Sequence, residues 1–151
     1  MVKRELIIRS NSTTVDFALL KDGKLTELSK EEDNNKFSVG DIFIAKVRKP
    51  ISGLNAAFVN VGYEKDAFLH YHDLGPQLST MLKFIKRAST GKMRDFSLKN
   101  VAFEPDIDKD GTINDAIKAN QSILVQIVKE PISTKGPRIS SELSIAGRYL
   151  V

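Results

Sequence analysis

The stretch that most constrains this chain runs from Gly53 to His70, Gly-Leu-Asn-Ala-Ala-Phe-Val-Asn-Val-Gly-Tyr-Glu-Lys-Asp-Ala-Phe-Leu-His. It reads as two short strands around a tight turn. Alternate residues of a strand face opposite ways, so parity sorts the side chains. In the first strand Ala57, Val59 and Val61 share one face, and Ala56, Phe58 and Asn60 the other. In the second, Ala67 and Leu69 point one way, and Asp66, Phe68 and His70 the other. The aliphatic residues define a core face, and both phenylalanines fall among polar neighbours. Rings placed this way can stack nucleic-acid bases. The alternative is that one or both lie under a loop as ordinary core.

Further strand signals flank this hairpin. Glu5 to Arg9, Val15 to Leu20 and Leu25 to Leu28 form a small antiparallel meander, with Asp22-Gly23 at the centre of a hairpin turn. Ser29 to Lys36 is a polar, charged connector. A second block opens at Val39-Gly-Asp-Ile-Phe-Ile-Ala-Lys-Val47, where Phe43, Ala45 and Val47 share a face. Ser122 to Lys129 and Arg138 to Leu143 supply two more strands. Five short strands in one all-β block suit a small barrel of the OB type.

Tyr71 to Asn120 is a long insertion between the third and fourth of these strands, and segments that long carry structure of their own. Leu78, Met81, Leu82 and Ile85 have the spacing of an amphipathic helix, with Pro76 near its start. Lys83, Lys86 and Arg87 end that helix, and Lys92 and Arg94 continue the basic run. These cations either complement the helix dipole as a solvated end or contact phosphates. A second short helix is expected over Asn114 to Ala119.

Composition narrows the function. Of 151 residues 41% are hydrophobic, enough for a packed core. The net charge of +4 is compatible with RNA or DNA without demanding either. The chain has no cysteine, which excludes disulfides, thiol catalysis and cysteine zinc sites from this segment. No apolar run is long enough to span a membrane, and the first residues do not read as a signal peptide, so a cytoplasmic protein is expected.

No catalytic constellation is visible. Asp106, Asp108 and Asp110 with Gly111 resemble the front of an EF-hand calcium loop, but Ile117 stands where the closing bidentate Glu belongs. An acidic surface loop is the better reading. His70 and His72 lie one residue apart in an expected strand, so their side chains should diverge, and no third metal ligand is evident.

Taken together, these motifs resemble the N-terminal part of the RNase E/G family of bacterial endoribonucleases. The residues that carry the resemblance are Gly40 to Val47, Leu54 to Gly62, Ala67 to His70, Ile123 to Glu130, Lys135-Gly136 and Ser144 to Val151. It extends over nearly the whole chain. It implies an OB-fold RNA-binding domain, of the kind first named in a ribosomal small-subunit protein, inserted into an RNase H-like subdomain. Residues 37–140 would be the barrel with its insertion at 71–120. Residues 1–36 and 141–151 would be a partial RNase H-like β-sheet segment.

The resemblance also implies site residues and partners. Two aromatics and a lysine that contact RNA in the family match Phe58, Phe68 and Lys135, with Lys129 nearby. His70 would border the rings. Arg138, where relatives often have a small residue, would add a phosphate contact. The wider barrel superfamily often has an aromatic where this chain has Asn55. The family's catalytic magnesium, held by two aspartates of a later subdomain, its zinc shared between protomers and its five-prime sensing pocket match nothing in this chain. The expectation is a piece of a longer, homo-oligomeric, magnesium-dependent endoribonuclease that acts on single-stranded RNA in rRNA processing and mRNA decay, itself without nuclease activity. A stand-alone OB-fold binding or interaction module is the alternative.

Overall fold

Alternating apolar residues and an Asp22-Gly23 turn carry the first part of the chain into a three-stranded antiparallel sheet. A computed structural model describes residues 2–32, 37–91 and 101–151. The chain divides into two units, Met1–Lys36 and Phe37–Val151. In the first, β1 (Arg4–Ser10), β2 (Thr14–Lys21) and β3 (Lys24–Glu32) pair in sequence order. Asp22 and Gly23 both take positive φ, 51° and 76°, as a two-residue hairpin turn with right-handed twist requires. β3 runs past the expected stop at Leu28, because β2 offers ladder partners as far as Thr14, opposite Glu32. None of residues 2–31 is buried, and Ile7 and Leu28 remain 54% and 68% exposed.

The second unit is a closed five-stranded barrel of OB type, ordered β4-β5-β6-β8-β7. Its strands are β4 (Ile42–Ile51), β5 (Ala56–Asn60), β6 (Ala67–His70), β7 (Ser122–Lys129) and β8 (Arg138–Ser140). All neighbours are antiparallel except β6 and β8. Parity fills the interior as expected, with Ala45, Val47, Ala57, Val59, Leu69, Ile123, Val125, Ile127 and Ile139 buried. Each fully buried Val, Leu or Ile side chain contributes about 1.5–3 kcal/mol of hydrophobic stabilisation. Two expected boundaries move. β4 starts at Ile42, because Ser38 to Asp41 form a turn in which the Asp41 N–H donates to the Ser38 carbonyl. β8 ends at Ser140, because Ser141 turns its N–H to the Asp73 carbonyl.

The insertion holds α1 (Leu78–Ser89) and the single turn α2 (Ile113–Ala116). Leu78 and Ile85 are buried and Met81 and Leu82 half-buried, so the expected stripe faces the barrel. Thr80 is buried too, its hydroxyl accepting the Glu104 N–H at 2.9 Å. α2 is shorter than expected because Ile117 leaves the helix for extended backbone and enters the core with Ile113. Lys92 and Arg94 lie outside the described residues. Among the described residues no helix is long and apolar enough to cross a membrane.

Candidate nucleic-acid interface

β5 and β6 pair so that Phe58 lies directly opposite Phe68. The two rings meet edge to face, their centroids 6.1 Å apart and their planes at 68°. Both are half-buried while Ala57, Val59, Ala67 and Leu69 between them are buried, so the rings stand on the outer barrel wall. The row continues through the register on both sides. Phe68 pairs with Arg138 of β8, Arg138 with Lys129 of β7, and Phe58 with Lys49 of β4. Cation, ring, ring, cation, cation therefore run across all five strands.

Two irregularities make that row. By strict alternation Lys49 would follow Ala45 and Val47 into the core, and Lys129 would follow Val125 and Ile127. Register shifts between Val47 and Lys49, and between Ile127 and Lys129, each insert one residue and turn the lysine outward. Lys49 was missed by reasoning from parity alone. A lysine at a core-parity position, just before Pro50, was the available signal.

The other expected site residues are placed as follows. Lys135 is exposed in the turn between β7 and β8, where its N–H and carbonyl pair with Ile132. Arg138 is not a loose cation. Its guanidinium grips Asp73 through Nε at 3.0 Å and Nη2 at 2.9 Å. Those bonds and the Asp73 charge raise the Arg138 pKa further, against a smaller opposing effect of burial. His70 closes the outer face of β6 beyond Phe68. It and His72 do not diverge: Tyr71–Asp73 is a 3-10 turn, and the ring centroids lie 5.1 Å apart. His70 Nδ1 accepts the His72 N–H, which leaves Nε2 as the outward donor.

Gly136 ties the Lys135 turn to the hairpin. A Cβ there would collide with the backbone carbonyls of Asp66 and Lys65. The next peptide continues the contact, the Pro137 carbonyl accepting the Phe68 N–H at 2.8 Å. Only glycine lets the turn come this close, and the closeness sets β8 beside β6.

No family model matches the chain. Curated relatives do. Ribonuclease G of Escherichia coli (strain K12) is 27% identical over 147 residues, 97% of this chain and 26% of the relative. Ribonuclease G of Haemophilus influenzae is 29% identical over the same length. Ribonuclease E of a Nostoc species is 33% identical over 114 residues, 75% of this chain and 13% of that relative. This is an RNase E/G-family sequence. It spans about a quarter of the length of the ribonuclease G relatives.

Asn55 stands where the wider barrel superfamily often has an aromatic, and here it is a clamp. It adopts left-handed backbone, φ 43°, at the end of a 3-10 turn. Its carbonyl accepts the Tyr71 N–H at 2.8 Å. Its Nδ2 donates to the Gly111 carbonyl at 3.2 Å and its Oδ1 accepts the Ile113 N–H at 2.7 Å. Among the described residues no three His, Asp or Glu side chains converge on a metal position. In the acidic loop, Asp108 Oδ1 takes the Asp110 N–H, and the Asp108 carbonyl takes the Tyr71 hydroxyl.

Proposed function

We propose that this segment binds single-stranded RNA on the outer barrel face, as the RNA-holding part of a longer RNase E/G-type endoribonuclease that works in the cytoplasm in rRNA processing and mRNA decay. The observation that carries the reading is the opposed pair Phe58 and Phe68, half-exposed, with Lys49 beside Phe58, Arg138 beside Phe68 and Lys129 next beyond Arg138. Exposed rings offer every base a π-face, so stacking tolerates any sequence. Lysines at both ends meet the backbone phosphates that flank a stacked base. Lys135 adds charge at the edge of the row, and His70 Nε2 offers a donor to a base edge.

In this reading Arg138 acts mainly by position. Its planar guanidinium is held by Asp73, so it borders Phe68 as a fixed wall. Magnesium and zinc belong to parts of the longer protein, and homo-oligomerisation does too. Residues 1–36 and 141–151 contribute to an RNase H-like subdomain. The exposed apolar side chains of Ile7, Leu28, Ile145 and Leu150 support that assignment, as surface that wants a cover.

The test is fluorescence anisotropy of labelled oligouridylate against the 151-residue chain, with duplex RNA as competitor. Saturable binding that prefers single strands supports the reading. Equal affinity for duplex and single strand, or none for either, overturns it.

A further inference from the structure

A second group of cations lies away from the aromatic row. The C-terminal half of α1 faces the start of β7 across a cleft of about 590 Å3. Leu82 and Ser122 line it, with Lys83, Lys86, Lys118 and Gln121. Lys83 is ion-paired with Glu104. Lys86 and Lys118 are exposed and have no acidic partner among the described residues. A helix end accounts for Lys86, since cations in the last turn complement the dipole. It does not account for Lys118, which comes from the segment after α2. Two like charges on one cleft with no acid between them repel, and an anion relieves that repulsion.

The register connects this cleft to the rings. Ser122 pairs with Lys46 on β4, and Lys46 pairs with Asn60 on β5. Asn60 is two residues from Phe58 on the same outer face. Strand rise and strand spacing put the route from Phe58 over Asn60 and Lys46 to Ser122 at about 16 Å. OB folds cover roughly 4–16 nucleotides of a single strand, so one strand can reach from ring to cleft.

We infer that the cleft between α1 and β7 is a phosphate-binding extension of the RNA face. It holds the backbone of a strand whose base stacks on Phe58, and Lys46 bridges the two places. Lys86 and Lys118 each take a phosphate there. This rests on the RNA reading above, and it adds a length requirement to it. A trinucleotide serves the rings alone, and a ten-nucleotide strand serves rings and cleft.

The experiment compares labelled oligouridylates of three and ten nucleotides, titrated by anisotropy over 50–200 mM salt. The variants are Lys86→Gln with Lys118→Gln, and Phe58→Ala. Lys24→Gln with Lys109→Gln is the control of equal charge, and circular dichroism checks folding. The expected result is a several-fold loss for the ten-mer in Lys86→Gln/Lys118→Gln, a salt slope flatter by about 1.4 at about 0.7 per single-strand phosphate, and an unchanged trinucleotide. Equal loss for both lengths, or the same loss in the control pair, overturns the inference. So does a ten-mer that the lysine variant does not affect, and if Phe58→Ala then weakens both lengths the ring platform stands without the cleft. If Phe58→Ala changes nothing while the lysine variant weakens only the ten-mer, the platform fails and the cleft stands as an independent site.

Discussion

Truncating Phe58 to alanine separates two roles that an aromatic residue on a barrel wall can have. The ring is half-buried and meets Phe68 edge to face at 6.1 Å. Such a pair is worth about 0.5–1.5 kcal/mol beyond area burial. Adding the lost half-buried surface, Phe58→Ala should lower unfolding free energy by about 1–2 kcal/mol, short of the roughly 3–5 kcal/mol of a fully buried phenylalanine. Base stacking is worth about 1–3 kcal/mol, so RNA affinity should fall about 5- to 150-fold. Urea denaturation followed by circular dichroism measures the first effect, and oligouridylate anisotropy at fixed salt the second. Phe68→Ala and the double variant complete a cycle, with an expected coupling in stability of about 0.5–1.5 kcal/mol. The reasoning is refuted if Phe58→Ala loses the stability of a core ring while the refolded protein binds RNA as tightly as before.

Other outcomes follow from the same geometry. Lys135→Ala should weaken RNA binding modestly and flatten the salt slope by about 0.7, without moving the urea midpoint. Gly136→Ala, which drives a methyl group into the backbone of the hairpin turn at the Lys65 and Asp66 carbonyls, should cost about 1–3 kcal/mol by chemical denaturation. Tyr71 gives a pH signature. Burial first, then the Asp108 charge, raises its pKa above the usual value near 10, so its contribution to stability is intact below that pH and falls as the pH rises above it. Tyr71→Phe should be less stable than the parent by about 1 kcal/mol at pH 7, from the lost bond to the Asp108 carbonyl, and the gap should narrow in urea melts above pH 10.

Much of this architecture is legible in the sequence, and the limits have physical causes. Alternation in Ala56–Asn60 and Ala67–His70 assigns the side chains from Ala57 onward to their observed faces, because a strand buried on one side leaves no freedom of register. The α1 stripe is equally plain, since Leu78 and Ile85 sit two turns apart. Alternation fails where the chain inserts a residue. Lys49 and Lys129 reach the outer wall only through bulges, and strict alternation has no place for the extra residue a bulge inserts. The histidine pair misleads for a related reason: a single 3-10 turn after His70 converts divergence into contact. The fate of Arg138 depends on Asp73, which lies far away in sequence and shows no sign of its partner there.

Asn55 has a consequence for how such a chain can change. One residue holds Tyr71 at the root where the insertion leaves the barrel, and Gly111 and Ile113 at the root where it returns. With both roots pinned at one point, the material between them is a cassette. Lengthening a closed loop twofold costs only about 0.6 kcal/mol of closure entropy. Residues can be added to the exposed parts of that segment while Leu78, Ile85 and Ile113 stay packed and the five strands keep their partners. A lineage carrying this pin is free to remodel the surface beside its barrel without redesigning the barrel itself.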